Sequence, residues 1–212
     1  VRWSTAWYRS RIADDIIFVA SPALVGAGFF QNAGTTQRWG LELDLSGRHG
    51  RSDWYASYGL TRATFESVVH LPADSEVNPF ATEEDELVVE PGDRLPGIPT
   101  HGLKLGMARQ VTTAWRLAVE TIAASNRVLL GDEGNDHAPI PGYVLLNLRS
   151  SYRLGAHVDV VLSVDNLLDT EYATFGVLAE VDLDLPQIAG EPRARFLTPG
   201  PPRGTWVGLR VR

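Results

Sequence analysis

The sequence predicts an all-β chain, an antiparallel up-and-down meander of about eight long strands forming part of a transmembrane β-barrel. Three observations predict it. Apolar and polar residues alternate with period two over long stretches, as in a strand whose successive side chains point to opposite faces. The connections between these stretches alternate strictly between short and long. The stretches run about 9–16 residues, where globular strands usually have five or six and a tilted membrane-crossing strand needs about 9–11.

The strands are expected at 3–19, 36–48, 53–66, 101–111, 115–130, 142–154, 157–172 and 204–211. The second sets Leu41, Leu43 and Leu45 against Glu42, Asp44 and Ser46. The sixth sets Val144, Leu146, Leu148, Tyr152 and Leu154 against Asn147, Arg149, Ser151 and Arg153. The seventh sets Val158, Val160, Leu162 and Val164 against Asp159, Ser163 and Asp165. Connections at 49–52, 112–114 and 155–156 are tight; those at 20–35, 67–100, 131–141 and 173–203 are long. A closed meander of hairpins pairs every backbone group inside hydrocarbon and keeps irregular chain outside it.

Aromatic residues fall at two levels. Trp54, Trp115 and Tyr152 lie beside short turns, and Tyr143, Tyr172 and Trp206 lie at long-loop ends. That placement predicts girdles at two membrane interfaces. The polar faces carry Glu42, Asp44, Arg116, Glu120, Arg149 and Asp159. On a barrel such a face lines the lumen; on a soluble β-sandwich it faces water, with the apolar face inward. Loop asymmetry and strand length favour the barrel. Arg116, Glu120, Arg149 and Asp159 are then candidates for lining a substrate path, or for a structural lattice of ion pairs.

The 212 residues include no Cys, which excludes disulfides, thiolate nucleophiles and thiolate metal sites. Lys is nearly absent. Segment 67–97 holds Asp74, Glu76, Glu83, Glu84, Asp85, Glu86, Glu90 and Asp93 against Arg94 alone, and so accounts for the whole formal charge of −7. That balance argues against nucleic acid. No apolar run is long enough for a transmembrane helix. Val1-Arg2-Trp3 does not open a signal peptide, which predicts a processed or truncated chain.

No catalytic constellation is present: the nucleophile elbow, phosphate-binding loop, dinucleotide fingerprint and zincin motif are all missing. The chain is expected to be no enzyme, with no cofactor and no metal site. "GDEGNDH" (131–137) lacks the order of a calcium loop and reads as a hydrophilic loop tip. "TEEDE" (82–86) reads as a solvated charge run, or as an acidic mouth that attracts cations.

"VDNLLDTEY" (164–172) resembles the Asn-Leu-Phe-Asp-x-x-Tyr element of TonB-dependent outer-membrane receptors, with Leu168 in place of Phe. Asn166, Leu167, Asp169 and Tyr172 match it. "FFQNAGTTQRWGLELDLSG" (29–47) is similar to another of their segments through Asn32, Gly34, Gly40 and Glu42. "DRLPGIPTHGLKLG", "PGYVLLNLRSSYRL" and "PRGTWVGLRVR" complete the series in order. The resemblance implies that 1–212 is the C-terminal part of a barrel of twenty-two strands, without its plug domain. It implies a bacterial outer-membrane receptor for a scarce nutrient, foremost a ferric siderophore. Its implied partners are membrane lipid and lipopolysaccharide, the plug, TonB, and a small-molecule or metal-chelate ligand. Family chains usually end in an aromatic residue, so a residue is expected beyond Arg212. In this reading Asp165-Asn166 tolerates polar contacts or a bulge near the outer interface, Tyr172 anchors there, and 173–203 is an unpaired external loop.

Two other readings stay open. A stand-alone eight-stranded barrel requires the first and last strands to pair. A β-sandwich requires the apolar face to be buried. An open sheet of eight strands has two bare edges, so the isolated piece is expected not to be a stable functional unit.

Overall fold

A computed structural model describes residues 1–20, 28–73, 75, 79–180 and 193–211, and among them every regular element is a strand. The strands are β1 (Arg2–Ile12), β2 (Ile16–Ala20), β3 (Gly28–Asn32), β4 (Thr36–His49), β5 (Ser52–Phe65), β6 (Val69–Pro72) and β7 (Glu86–Val89). They continue with β8 (His101–Gln110), β9 (Trp115–Ala124), β10 (Tyr143–Arg153), β11 (Val158–Asp165), β12 (Ala173–Glu180), β13 (Arg193–Pro199) and β14 (Gly204–Val211). Eight of them form one antiparallel sheet in the order β1-β4-β5-β8-β9-β10-β11-β14. Each expected strand has its counterpart there, in sequence order.

The tight turns occur where alternation breaks. At the β4–β5 turn His49 pairs with Ser52, and Gly50 takes φ 56°, a conformation that suits a residue without Cβ. Three of the four long connections differ from expectation, in that they are not plain loops. β2 pairs with β3, β6 with β7 and β12 with β13, each as a separate two-stranded hairpin. The expected strand 3–19 is therefore two strands, because the chain turns at Asp14, whose φ is 54°. The expected strands 115–130 and 157–172 leave the sheet early, at Ala124 and Asp165. Nor is 173–203 unpaired: Ala173–Glu180 runs against Arg193–Pro199, with Pro199 at the hairpin's end, where a missing N–H costs least. The rest of that connection (181–192), with 21–27, Asp74, Glu76 and Arg212, lies outside the described residues.

Register sorts every side chain of the large sheet onto one of two faces. One cross-strand row reads Thr5, Leu43, Tyr58, Leu103, Ala123, Val144, and another reads Trp54, Met107, Val119, Leu148, Val164. This apolar face stays open: Trp3 is 72% exposed and Leu209 71%. The buried residues are elsewhere. Ala63, Phe65, Val69, Leu71, Leu87, Val89 and Leu95 form one cluster between the outer ends of the strands and the β6–β7 hairpin. Leu129, Ile140 and Leu178 form a second, under the β12–β13 hairpin. A sandwich would bury the apolar sheet face instead. β1 and β14 are the two edges of the sheet and do not pair with each other, as a closed eight-stranded barrel would require.

Of the expected girdle, Trp54, Trp115 and Tyr152 do lie on the apolar face near the tight turns, Trp115 opposite Tyr152. Tyr143 and Trp206 lie on the polar face: Tyr143 opposes Ala124, and Trp206 opposes Ser163. Tyr172 lies outside the strands, its ring centroid 4.7 Å from that of Tyr143. At the long-loop end the apolar face carries Trp39 and Tyr58 instead.

Candidate functional site

The polar face is a continuous wall built by parity. Glu42 and Asp44 on β4, Asp53 and Tyr55 on β5, Arg116 and Glu120 on β9, Arg149 on β10 and Asp159 on β11 all point to it. Two hollows open on it, of about 670 and 490 Å³. Arg48, Asp53, Tyr55, Arg116, Glu120 and Arg149 line the larger; Arg116, Arg149, Ser163, Trp206 and Arg210 line the other.

Side chains here bond across intervening strands. Tyr55 opposes Gly106, which opposes Glu120, and the Tyr55 hydroxyl donates to Glu120 Oε2 at 2.9 Å. The ring lies where a Cβ on Gly106 would stand. Tyr8, Gly40 and Thr61 repeat the device: the Tyr8 ring fills the space over Gly40, and its hydroxyl lies 2.9 Å from Thr61 Oγ1. A bare glycine between two strands lets an aromatic ring lie flat over it, which shields the backbone and lets the phenol reach two strands away.

The expected path residues are each engaged. Arg116 donates to Asp53 at 3.1 Å, and Asp53 also pairs with Arg48 at 2.6 Å. Glu120 additionally accepts from Asn147 at 3.4 Å. Arg149 pairs with Asp165 and donates to the Val164 carbonyl at 3.1 Å. Asp159, buried, lies 3.9 Å from Arg153. Arg116 and Glu120 thus share one hollow with Arg149, whereas Asp159 lines neither. Sequence reading missed Arg48, Asp53 and Tyr55; the signal was parity, since all three share the face of Glu42 and Arg116.

β11 ends at Asp165, and of the two expected alternatives the 164–172 segment shows polar contacts, which form a clamp, and not a bulge. Asn166 is buried, with φ 50°. Its side chain accepts from Thr170 N at 2.9 Å and donates to the carbonyls of Thr170 at 2.9 Å and Pro201 at 3.3 Å. Its N–H donates to Asn147 Oδ1 at 3.0 Å. Leu167 donates its N–H to the Leu146 carbonyl at 2.7 Å. Asp169, φ 55°, accepts from Arg203 N at 2.9 Å. Tyr172 lies over Gly200, whose N–H donates to the Tyr172 carbonyl at 2.8 Å. Burial pushes the Tyr172 phenol up, and Tyr143 adds to the shift. The segment therefore fastens the start of β14 to the outer ends of β10 and β11.

Asn32, Gly34, Gly40 and Glu42 follow the β3-to-β4 path. Asn32 pairs with Ile16. Gly34 takes φ 61°, and a Cβ there would meet the Ser67 hydroxyl. Beside it Asp15 accepts from Thr36 Oγ1 at 2.5 Å and from Arg38 at 2.9 Å. Burial alone would raise the Asp15 carboxyl, but the bonds from Thr36 and Arg38, with the Arg38 charge, hold it below its ordinary value.

The 131–137 segment is not a hydrophilic tip, since Asp132 and Glu133 are buried. Asp132 accepts from the N–H of Asp136 at 3.0 Å and of His137 at 3.3 Å, and contacts His137 Nδ1 at 2.9 Å. Burial, reinforced by the Asp132 charge, raises the Asp136 carboxyl. Among the described residues no three His, Asp or Glu side chains are grouped to hold a metal ion. Glu83, Glu84 and Asp85 of the acidic run are exposed, at the turn that joins β6 to β7.

A family model described as TonB dependent receptor-like, beta-barrel matches residues 1–167. No curated protein matches the chain significantly. Solved structures share its fold at low identity. The siderophore receptor PiuA from Acinetobacter baumannii aligns with a TM-score of 0.68 and 16% identity, over 99% of this chain and 25% of that one. The copper transporter OprC aligns with 0.67 and 18%, over 99% and 28%. The ferric yersiniabactin uptake receptor FyuA from Yersinia pestis aligns with 0.66 and 16%, over 99% and 27%. The chain spans about a quarter of the length of these receptors.

Proposed function

The chain belongs to the TonB-dependent receptor-like β-barrel family, and from that premise we propose that its polar face is lumen wall in an importer of a ferric siderophore or similar bulky metal chelate. Proteins of this family sit in the bacterial outer membrane and are receptors rather than enzymes. The observation that carries the proposal is the sorting of charge: through the middle of the sheet ionic groups occupy one face and an open apolar band occupies the other, with arginines joining the apolar face only near the strand ends. Lipid contacts the band, and water and ligand contact the wall. The siderophore class is supported by solved receptors of the same fold whose cargoes include ferric yersiniabactin and ferric catecholates. Residues 1–212 would then form the C-terminal part of the barrel, and the plug and TonB would act with it in the parent receptor.

Within that reading Arg116, Glu120, Arg149 and Asp159 stiffen the wall. Each already has a partner on the wall, which leaves little free charge for a passing ligand. Asn166, Asp169 and Tyr172 fix the geometry of the outer rim. The test is growth of a strain deleted for the parent gene on single ferric siderophores under iron limitation, with and without TonB. TonB-dependent rescue by the intact gene on one class of chelate supports the proposal. Rescue that ignores TonB, or none on any metal chelate, overturns it.

A further inference from the structure

Resting on the reading of the polar face as the lumen wall of an importer, we propose that a seam between two outer connections is a proton-operated latch, closed when Asp93 and Asp136 carry protons and loosened when they are ionised. One connection runs from β5 to β8, the other from β9 to β10. Asn135, φ 60°, accepts from Arg94 N at 3.1 Å and donates to the Arg94 carbonyl at 3.1 Å. The Gly97 N–H donates to the Val128 carbonyl at 2.9 Å. Further along, the Phe80 and His137 rings meet edge to face, centroids 5.0 Å apart. The first connection carries the β6–β7 hairpin, with the buried cluster around Phe65 and the exposed acidic turn. The seam therefore sets how firmly that hairpin is held beside its neighbour at the outer mouth.

Carboxylates gather in this seam without a matching cation. Asp132 is buried and held by its bonds from Asp136 and His137. Asp93 accepts from the Glu90 N–H at 2.8 Å, and its carbonyl accepts from Phe65 N at 2.9 Å, which fixes it to the end of β5. Neither Asp93 nor Asp136 forms an ion pair among the described residues. The charged groups facing Asp93 are Glu90 and Asp132; those facing Asp136 are Asp132, His137 and Asp93. Glu133 turns to the Gly131 N–H at 3.2 Å, and the Arg94 guanidinium turns away to the Asn126 side chain and carbonyl, at 3.1 Å each. Ionising Asp93 and Asp136 thus sets like charges around Asp132, across a junction otherwise held by neutral hydrogen bonds. Burial raises the Asp93 carboxyl, and the Glu90 and Asp132 charges add to it against the Glu90 N–H bond. Asp136, open to water on one side, is raised in the same direction. The assembled seam therefore holds these protons more tightly than an open one. Their contribution is present below about pH 4 and is lost as pH rises through the raised values. The sign is opposite to that of Asp15, whose carboxyl is held below its ordinary value.

The test uses the full-length parent receptor in detergent micelles, free of cargo. Hydrogen-exchange protection of 90–97 and 126–137 is read relative to the intrinsic rate between about pH 4 and about pH 8. Wild type is expected to lose protection there as pH rises, while the segments around Asp15 change in the opposite direction and serve as an internal reference. D93N/D136N keeps an acceptor oxygen at both positions and removes the charge, so it is expected to stay protected throughout. D136N alone, at the more open site, is expected to remove part of the pH response and replaces the pair if the pair fails to fold. Protection that ignores pH in wild type, or that falls on acidification, overturns the proposal. So does a full wild-type response in the Asn variants, above all if H137Q abolishes it, since the imidazole would then be the titrating group. Exchange without cargo does not depend on what the receptor imports. A pH-independent seam sinks only the latch, whereas a responsive seam in a receptor that takes up no metal chelate sinks the importer reading and leaves the latch in place.

Discussion

Asn166 shows how much one side chain can organise. It holds a left-handed backbone, which Asn tolerates better than most residues, and it spends its amide on three separate backbone groups. Asn166→Ala strands those buried groups and is expected to cost about 2–3 kcal/mol, read by guanidinium unfolding of the parent receptor in detergent. Asn166→Gly keeps the backbone accessible and removes only the bonds. If it matches wild type, the side chain is idle and the clamp is a matter of conformation alone. Asp15 carries a pH dependence of definite sign. Its folded carboxyl is held below its ordinary value, so its stabilisation is present above about pH 4 and is lost as pH falls through the lower, folded value. Hydrogen-exchange protection across 13–20 and 28–36, taken relative to the intrinsic exchange rate, should fall on acidification over that interval, and Asp15→Asn should flatten the change. An unchanged pH profile in that variant would remove Asp15 from the account.

At the scale of elements, the eight sheet strands were legible because each is amphipathic at period two, and membrane and lumen impose that pattern directly. The three outer hairpins were not. Val69–Pro72 and Glu86–Val89 are four residues each, too short for alternation to register, and their pairing is stabilised by a shared cluster around Phe65 rather than by their own pattern. The wall was legible as a list of charges but not as a set of pairs. Tyr143 and Trp206 were ambiguous because an aromatic residue fits an interface girdle as readily as a lumen; only counting parity from strand to strand separates the two. Gly106→Val tests the strand-spanning contact. The new side chain would occupy the place of the Tyr55 ring and break its bond to Glu120. The expectation is a loss of about 2–4 kcal/mol in the parent receptor, relieved in part by pairing it with Tyr55→Ala. Absence of that relief would mean the ring and the glycine are not coupled.

For the whole molecule, the distribution of burial is inverted relative to a water-soluble protein. Its apolar clusters lie in the outer hairpins, while its largest apolar surface, the sheet face with Trp3, Trp7, Leu209 and Val211, is open. With β1 and β14 both bare at the edges, residues 1–212 alone are expected to associate in detergent-free buffer and to disperse only in micelles or bilayers. Light scattering during size-exclusion chromatography checks this; a clean monomer without detergent would contradict the membrane assignment of that face.

The two tyrosine crossings also have a mechanical meaning. The easiest way to deform a sheet is to slide one strand along its neighbour, exchanging one set of hydrogen bonds for the next. Tyr8 over Gly40 and Tyr55 over Gly106 each seat a ring above a central strand and fasten it to the strand beyond. Sliding that central strand would drive a Cβ into the ring, because the neighbouring positions in its row are not glycine: Arg38 and Glu42 flank Gly40, and Lys104 and Ala108 flank Gly106. Strands β1, β4 and β5, and likewise β5, β8 and β9, therefore bear a shear load as sets of three. The sets share β5, which makes it the rivet line of the wall.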